Sequence, residues 1–142
     1  MKIFVTGADG FLGNNIVREL LSRNYEVRAF LQEGTTVTTL DELVLEKVYG
    51  NILDREQVIE ASRGADYIIH AAANTSIWPY RAEIIRKVNY DGTLNIIAAA
   101  QRNNIKRIVA IGTANSFGNG TKEEPGTETS PFKAGSFGLD YI

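Results

Sequence analysis

Residues 6–13 read Thr6-Gly7-Ala8-Asp9-Gly10-Phe11-Leu12-Gly13 and join the first apolar run of the chain to its first amphipathic pattern. The glycines in this stretch follow a G-x-x-G-x-x-G spacing. A phosphate-binding turn needs glycine to turn tightly, to let the backbone approach the phosphates, and to let the helix pack closely on the strand. Glycines also mark ordinary turns, but the position between a predicted strand and an amphipathic helix favours phosphate binding.

Outside this turn, strand-like and helix-like segments alternate along the chain. Strands are predicted at residues 3–6, 25–31, 45–49, 66–72 and 107–112. Helices are predicted from residue 13 onward, from the N-cap at 54 to about 63, and over residues 82–103, whereas residues 35–43 are ambiguous between a short helix and a loop. Buried strands joined by helices are parallel and have right-handed crossovers. The pattern therefore predicts a doubly wound α/β domain with helices on both faces of the sheet and strand order 3-2-1-4-5.

Length, charge and composition restrict the class of protein further. The chain has 142 residues, which suits one domain, and a formal net charge of -2, which gives no reason to expect nucleic acid or an anionic membrane as partner. It has no cysteine, so disulfides and thiolate metal sites are excluded, and no metal site is predicted. The first apolar run is too short for a signal peptide or a membrane span, and we expect a cytoplasmic protein.

Four further motifs follow the glycine turn in order along the chain. They are GNILD at residues 50–54, HAAA at 70–73, VNYDGTLN at 88–95 and IGTANSFG at 111–118. Together with the turn, they resemble the extended short-chain dehydrogenase/reductases, which include nucleotide-sugar epimerases and dehydratases, dihydroflavonol-4-reductase-like enzymes and 3β-hydroxysteroid dehydrogenases. The resemblance covers essentially the whole chain and implies an NAD(P)-binding Rossmann domain. Asn51 replaces the family's usual Asp, and Gly112 replaces a Ser.

The resemblance also implies which residues contact the cofactor. These are Gly7, Asp9, Gly10, Phe11, Leu12, Gly13, Leu31, Gln32, Asn51, Ile52, Ala71, Ala72, Ala73 and Asn89. An acidic residue at the end of the second strand would select NAD, whereas an Arg there would accommodate the 2′-phosphate of NADP. The family alignment puts Leu31 and Gln32 at these two positions, so neither signal is present. Residues 28–54 and 124–129 look most like the dihydroflavonol-reductase-like branch, which favours NADP, with NAD as the alternative.

In this family a hydride passes between the nicotinamide and a substrate carbon that bears an alcohol or carbonyl. A tyrosine in a Y-x-x-x-K motif transfers the proton, and a Ser or Thr hydroxyl fixes the substrate oxygen. The resemblance assigns these roles to Tyr141 and Thr113, although a terminal tyrosine and a simple cap are the alternative interpretations. Residues 1–142 would then form an NAD(P)-binding domain that ends before the catalytic Lys and the C-terminal substrate domain, with little or no turnover of its own.

Several other expectations remain open at this point. The substrate is expected to be a small molecule. The family resemblance implies a possible homodimer through the long helix around Asn89. Asparagine is a poor helix former, so a structural reason is expected for Asn89 within this helix. His70 is expected to pack at a strand end rather than bind a metal. Trp78 and Tyr80 are expected either to line the substrate cleft or to cover a sheet edge. Epimerase or dehydratase activity, or a non-catalytic NAD(P) sensor, are the alternatives.

Overall fold

In the computed structural model, which describes residues 1–78, 82–138 and 141, the chain forms a five-stranded sheet with order β3-β2-β1-β4-β5. The strands are β1 Lys2–Thr6, β2 Glu26–Gln32, β3 Glu46–Gly50, β4 Tyr67–His70 and β5 Arg107–Ala110. Every neighbouring pair in this described sheet is parallel. The predicted strand order is confirmed, because alternating strands and helices allow few other arrangements.

The helices follow the predicted segments with small differences at their ends. They are α1 Phe11–Ser22, α2 Arg55–Ala61, α3 Glu83–Arg86 and α4 Gly92–Arg102, with short 3₁₀ turns at Thr38–Leu40, Ala114–Ser116 and Ala134–Phe137. The first helix begins at Phe11, before Gly13, and the ambiguous segment contains one 3₁₀ turn. No helix in the described ranges is long and apolar enough to cross a membrane.

The sheet carries a packed layer on each face because side chains alternate along its strands. In β1, Phe4 belongs to a cluster with Val58 of α2 and Ile96 of α4, whereas Val5 packs with Val17 of α1 on the other face. All five of these side chains have at most 1% of their surface exposed. The predicted three-layer arrangement of helix, sheet and helix is therefore present, with the sheet buried between α1 and the pair α2 and α4.

The start of α2 is only partly as the sequence predicts. Asp54 caps the helix, since its Oδ1 accepts hydrogen bonds of 3.1 Å from the backbone N–H groups of Glu56 and Gln57. A capping box would return the Gln57 side chain to the backbone of residue 54. Instead, Gln57 Oε1 accepts from the Asn51 N–H at 2.8 Å. The side chain therefore braces the loop that follows β3 rather than closing the box.

The predicted continuous helix over residues 82–103 is interrupted by a π turn. Residues Lys87–Asp91 take the wider turn and join α3 to α4; we call residues 83–102 the long helix. Such single turns occur frequently at functional sites because they redirect the side chains around them. Asn89 lies in the middle of this turn, which places its unfavourable helix propensity where the helix is already irregular.

Candidate cofactor site

A cavity of about 660 Å³ opens at the carboxyl ends of the strands, next to the point where the strand order reverses between β1 and β4. The glycine turn, the ends of β2 and β3, the segment after β4 and the start of the long helix all contribute to its walls. The lining residues are Thr6, Gly7, Asp9, Gly10, Phe30, Gln32, Gly50, Asn51, Ile52, Leu53, Ala71, Ala72, Ala73, Asn74, Thr75, Ser76, Ile84 and Val88. Its size lies within the range of small-molecule and cofactor pockets.

The three glycines of the turn play different roles in this geometry. Gly7 has a φ of +67°, and a Cβ there would lie 2.6 Å from the backbone nitrogen of Ala72. Gly13 is buried in the first turn of α1, where a Cβ would lie 2.7 Å from the carbonyl carbon of Gly7. A Cβ at Gly10, by contrast, would meet only the Gly7 carbonyl oxygen at 3.3 Å. Gly7 and Gly13 therefore allow close packing, and Gly10 keeps the cavity wall free of a side chain.

The N-terminus of α1 supplies the donors of the site. Gly10 is the N-cap residue, and no side chain of the described residues caps this end of the helix. The first N–H groups of a helix have no partner within the helix and attract anions. The side chains of Phe11 and Leu12 are 91% and 49% exposed and do not line the cavity. Any contact of Phe11 and Leu12 with a cofactor would therefore be made by their backbone N–H groups, not by their side chains.

The end of β2 corrects one predicted contact. Leu31 has 1% of its surface exposed and packs in the core beneath α1, so its side chain cannot reach a ligand in the cavity. The alternation of the strand gives that position to Gln32, which is exposed and lines the cavity. At the end of β3, Asn51 Oδ1 accepts from the Leu53 N–H at 2.9 Å, and the amide NH₂ of the same side chain provides two donors.

The segment after β4 forms the wall beside the glycine turn, and Asn89 binds it from the side away from the cavity. Asn89 Oδ1 accepts from the Asn74 N–H at 2.7 Å, and Asn89 Nδ2 donates to the Asn74 carbonyl at 2.9 Å. The side-chain amide thus imitates the pairing of a neighbouring strand. Asn89 does not line the cavity. The predicted direct contact of Asn89 with the cofactor therefore has no support in this geometry, and its side chain instead makes the structural hydrogen bonds that its unfavourable position in a helix led us to expect.

His70 ends β4 with 5% of its surface exposed. Its ring bonds on both sides, with Nδ1 lying 2.7 Å from Thr6 Oγ1 and Nε2 lying 3.0 Å from Thr93 Oγ1. Burial lowers the pKa of the imidazole below its ordinary value, because a buried cation loses its hydration. The expected packing residue is therefore also a polar link between β1 and the long helix, and no local sequence pattern indicates that link.

The charges around the cavity are few. Asp9, an exposed carboxylate, is the one charged side chain among the described lining residues, and neither Lys nor Arg is among them. Anionic groups of a ligand would therefore depend on backbone N–H groups and the dipole of α1. Among the described residues, no group of three or more His, Asp or Glu side chains could hold a metal ion.

The two predicted catalytic residues lie outside this cavity. Thr113 follows β5 and is half-buried, and its Oγ1 accepts from the Asn115 N–H at 3.2 Å as the cap of a 3₁₀ turn. Tyr141 is half-buried as well. Trp78 is 72% exposed and does not line the cavity, whereas Tyr80 lies outside the described residues.

A second cavity, of about 480 Å³, lies between β3 and α2. The Arg28 guanidinium in its wall is already engaged. Nη1 donates to the carbonyls of Ala61 and Arg63 at 2.8 and 2.7 Å, and Nε lies 2.7 Å from Glu46 Oε2. This ion pair also lowers the pKa of Glu46, with Arg28 as the largest cause. Arg28 therefore fastens the end of α2 to the sheet, and its guanidinium is not available to a ligand in this cavity.

The doubly wound sheet, the glycine turn at the switch point and the cavity above it define a dinucleotide-binding domain. The comparison with known families agrees, since the model of the NAD-dependent epimerase/dehydratase family matches residues 3–137. The chain belongs to that family.

Individual relatives are similar over most of this chain. A sterol demethylase protein B of Methylococcus capsulatus is 36% identical over 139 residues, which cover 96% of this chain and 42% of that protein. A 3-beta-hydroxysteroid dehydrogenase of Mycolicibacterium neoaurum is 32% identical over 138 residues, 92% of this chain and 37% of that protein. The UDP-glucose 4-epimerase of Thermus thermophilus, solved in complex with NAD, superposes with a TM-score of 0.85 at 25% identity, over 99% of this chain and 46% of that one. The chain thus spans about two fifths of the length of these two curated relatives.

Proposed function

We propose that this chain binds a nicotinamide dinucleotide in the cavity above the glycine turn, as the cofactor-binding portion of an oxidoreductase. The observation that carries the proposal is the backbone cradle made by Gly7, Gly10 and Gly13. A Cβ at Gly7 or Gly13 would clash with backbone, and one at Gly10 would stand in the cavity wall. Glycine at all three positions thus produces a close backbone approach beneath a helix N-terminus, which suits a pyrophosphate.

Different groups of the chain would bind the two parts of the dinucleotide, its pyrophosphate and its adenosine half. The N–H groups at the start of α1 would receive the pyrophosphate, and the open backbone at Gly10 would let it approach. Gln32, Asn51 and Ile52 lie together at the ends of β2 and β3, where the adenosine half would bind. When bound, the nicotinamide supplies the hydride acceptor or donor.

We infer that NAD(H) binds more tightly than NADP(H), against the preference that the branch resemblance suggests. No Lys or Arg occurs between Arg28 and Lys47, the stretch that contains the end of β2 and the loop after it. This stretch carries Glu33 beside Gln32. A 2′-phosphate would lose its hydration at this strand end and gain no cationic partner, whereas a ribose hydroxyl can bond to an amide.

For the longer proteins of this type, we propose hydride transfer between the cofactor and a ketone or alcohol, as in dihydroflavonol-reductase-like enzymes. Thr113 would hold the substrate oxygen and Tyr141 would transfer the proton. The support is the order of motifs in the sequence and the likeness to a relative named as a 3-beta-hydroxysteroid dehydrogenase. Epimerisation of a nucleotide sugar is the second candidate, favoured by the likeness to the UDP-glucose 4-epimerase.

The long helix is the surface through which we propose that two copies associate. Tyr90, Leu94 and Ile97 are 59%, 46% and 42% exposed, and their spacing of four and three residues puts them on one helix face. An exposed apolar stripe of this kind is typical of an interface. Sedimentation should show a dimer that Leu94→Glu dissociates, and a monomeric wild-type chain at high concentration would refute the interface.

Isothermal titration calorimetry with NAD⁺ and NADP⁺ tests the cofactor proposal. We expect saturable binding that is tighter for NAD⁺, and loss of binding in Gly10→Asp, which adds bulk and negative charge at the phosphate cradle. Equal binding by wild type and this variant would overturn the proposed site. Tighter binding of NADP⁺ would overturn only the choice of cofactor.

A further inference from the structure

His70 is the only histidine of the chain, it is buried, and no step of the proposed function uses it. Its ring lies between two threonine hydroxyls, Thr6 on β1 and Thr93 in the first turn of α4. Each of these hydroxyls also makes a hydrogen bond to a backbone group, Thr93 to the Asn89 carbonyl and Thr6 to the Ala72 N–H. These backbone groups determine whether each hydroxyl donates to the ring or accepts from it. The protonation state of the ring therefore follows from the donors and acceptors around it.

The Thr93 side fixes the proton on Nε2. Thr93 Oγ1 donates its one hydrogen to the carbonyl of Asn89 at 2.6 Å, because a carbonyl can only accept. Toward His70, the same oxygen can then only accept, so the ring nitrogen at 3.0 Å must donate. The ring is thus protonated on Nε2.

The Thr6 side completes the chain in the same direction. Thr6 Oγ1 accepts from the Ala72 N–H at 3.3 Å and lies 2.7 Å from His70 Nδ1. In the neutral ring, Nδ1 carries no hydrogen and accepts from the Thr6 hydroxyl. The bonds then run without interruption from the Ala72 N–H through Thr6, His70 and Thr93 to the Asn89 carbonyl, and each hydroxyl donates once and accepts once.

One end of this series of hydrogen bonds, Ala72, lies in the wall of the cofactor cavity, and the other end, Asn89, lies behind that wall. Ala72 lines the cavity and abuts Gly7 so closely that a Cβ on that glycine would lie 2.6 Å from the Ala72 nitrogen. Asn89 holds the same wall two residues further along, at Asn74. Two sets of hydrogen bonds therefore connect this wall to the π turn. One is made by the Asn89 side-chain amide, and the other runs through His70.

We propose that His70, as the neutral Nε2–H tautomer, is a positioning residue of the cofactor site, which ties the π turn of the long helix to the wall segment and the glycine turn. This inference rests on the proposed function, since it concerns how the same cavity is held in shape. Within the part of the chain that the structure describes, the ring bonds only to the two threonine hydroxyls and to no charged side chain. On the π turn packed against it, Lys87 and Asp91 instead pair with Glu83 and Arg86. The neutral form is further supported by burial, the one cause that lowers the pKa of His70.

The tautomer is measured directly by nitrogen-15 NMR, because the sole histidine gives one set of ring signals. Long-range proton–nitrogen spectra at pH 7 should show a protonated Nε2 and a bare Nδ1 in the chain without ligand. A protonated Nδ1, a cationic ring or a mixture of both tautomers would overturn the assignment. This measurement does not depend on whether the chain binds a dinucleotide.

The positioning role is tested by a matched pair of variants at Thr93, which does not line the cavity. Thr93→Val keeps the shape and removes the hydroxyl, whereas Thr93→Ser keeps the hydroxyl. In calorimetry with NAD⁺, we expect Thr93→Val to bind about tenfold more weakly, the factor carried by one ordinary hydrogen bond, and Thr93→Ser to bind like wild type. The NMR signals of the valine variant should also show loss of the single tautomer.

The control is Thr39→Val, at an exposed threonine that does not line the cavity and meets α1 through its backbone carbonyl; this variant should bind NAD⁺ like wild type. Unchanged NAD⁺ affinity in Thr93→Val would overturn the positioning role while leaving the proposed function intact. Weakened binding in Thr93→Ser as well would also overturn it, because the hydroxyl would not be the cause. Failure of the wild-type chain to bind NAD⁺ would overturn the proposed function, and the positioning role with it.

Discussion

A single methyl group at Gly13 should reveal how tightly α1 is pressed against the glycine turn. In Gly13→Ala the new Cβ would lie 2.7 Å from the carbonyl carbon of Gly7 and 3.0 Å from the Cα of Ala8, and still closer to the Gly7 oxygen. The first of these distances is 0.7 Å short of the 3.4 Å at which ordinary contact begins. Because both neighbours are backbone, the helix as a whole must move away from the strand.

The size of the effect follows from two opposing contributions. Forcing an extra methyl group into a packed interior costs about 1–3 kcal/mol. Alanine is favoured over glycine within a helix by about 1 kcal/mol, which offsets part of that cost. With rigid backbone on the opposing side, we expect the upper part of the range to apply, which leaves a net loss of roughly 1–2 kcal/mol in the free energy of unfolding.

Urea denaturation followed by circular dichroism measures this loss. Gly112→Ala is the matched control, since a Cβ at Gly112 would meet nothing within 4 Å and the φ of that residue is not positive. Wild-type stability in Gly13→Ala, together with unchanged NAD⁺ binding, would refute the close approach of helix and turn on which the cradle depends. A loss of similar size in Gly112→Ala would show that the effect is not specific to the turn.

Three further perturbations address the site and its supports. Asn89→Ala removes two hydrogen bonds to Asn74 and should lower the free energy of unfolding, measured in urea, by about 1–3 kcal/mol. An unchanged value would show that these two bonds do not hold the wall of the cavity. Asp54→Ala removes the cap of α2 and should cost about 1 kcal/mol in the same assay, and an unaffected variant would contradict the observed cap. For His70, burial lowers the pKa below the ordinary 6.5, so the unfolded chain binds a proton that the native chain resists. The contribution of His70 to the free energy of unfolding should therefore be fully present above pH 6.5 and fall as the pH drops through that value, by at most about 1.4 kcal/mol per pH unit for one proton. His70→Gln should remove this contribution between pH 7 and the lowered pKa, and the same slope in that variant would contradict it.

The sheet and its order could be predicted because they follow from patterns close together in the sequence. The apolar runs of β1 and β4, the glycine turn and the period of α1 are each visible in a short window. The rules for parallel connections then leave few arrangements of five strands. The glycine positions were predicted for the same reason, since the turn that needs them is local.

The supports of the cavity could not be predicted in this way, because they join residues far apart in sequence. His70 meets Thr6 across 64 positions and Thr93 across 23, and neither pairing leaves a pattern near the histidine. The π turn is equally hidden, since one wider turn does not disturb the apolar spacing enough to show. The burial of Leu31 depends on which face of β2 points to α1. A shift of one residue in the predicted strand would exchange the buried and exposed positions of Leu31 and Gln32.

The most direct test of the central claim is to map the binding of NAD⁺ residue by residue. Backbone amide NMR spectra of the nitrogen-15-labelled chain, recorded during an NAD⁺ titration, report every N–H group that a ligand touches. We expect the largest changes on residues 7–13, on 51 and 52 and on 71–74, which surround the cavity at the switch point. Changes centred on the cavity between β3 and α2, or none at saturating NAD⁺, would contradict it.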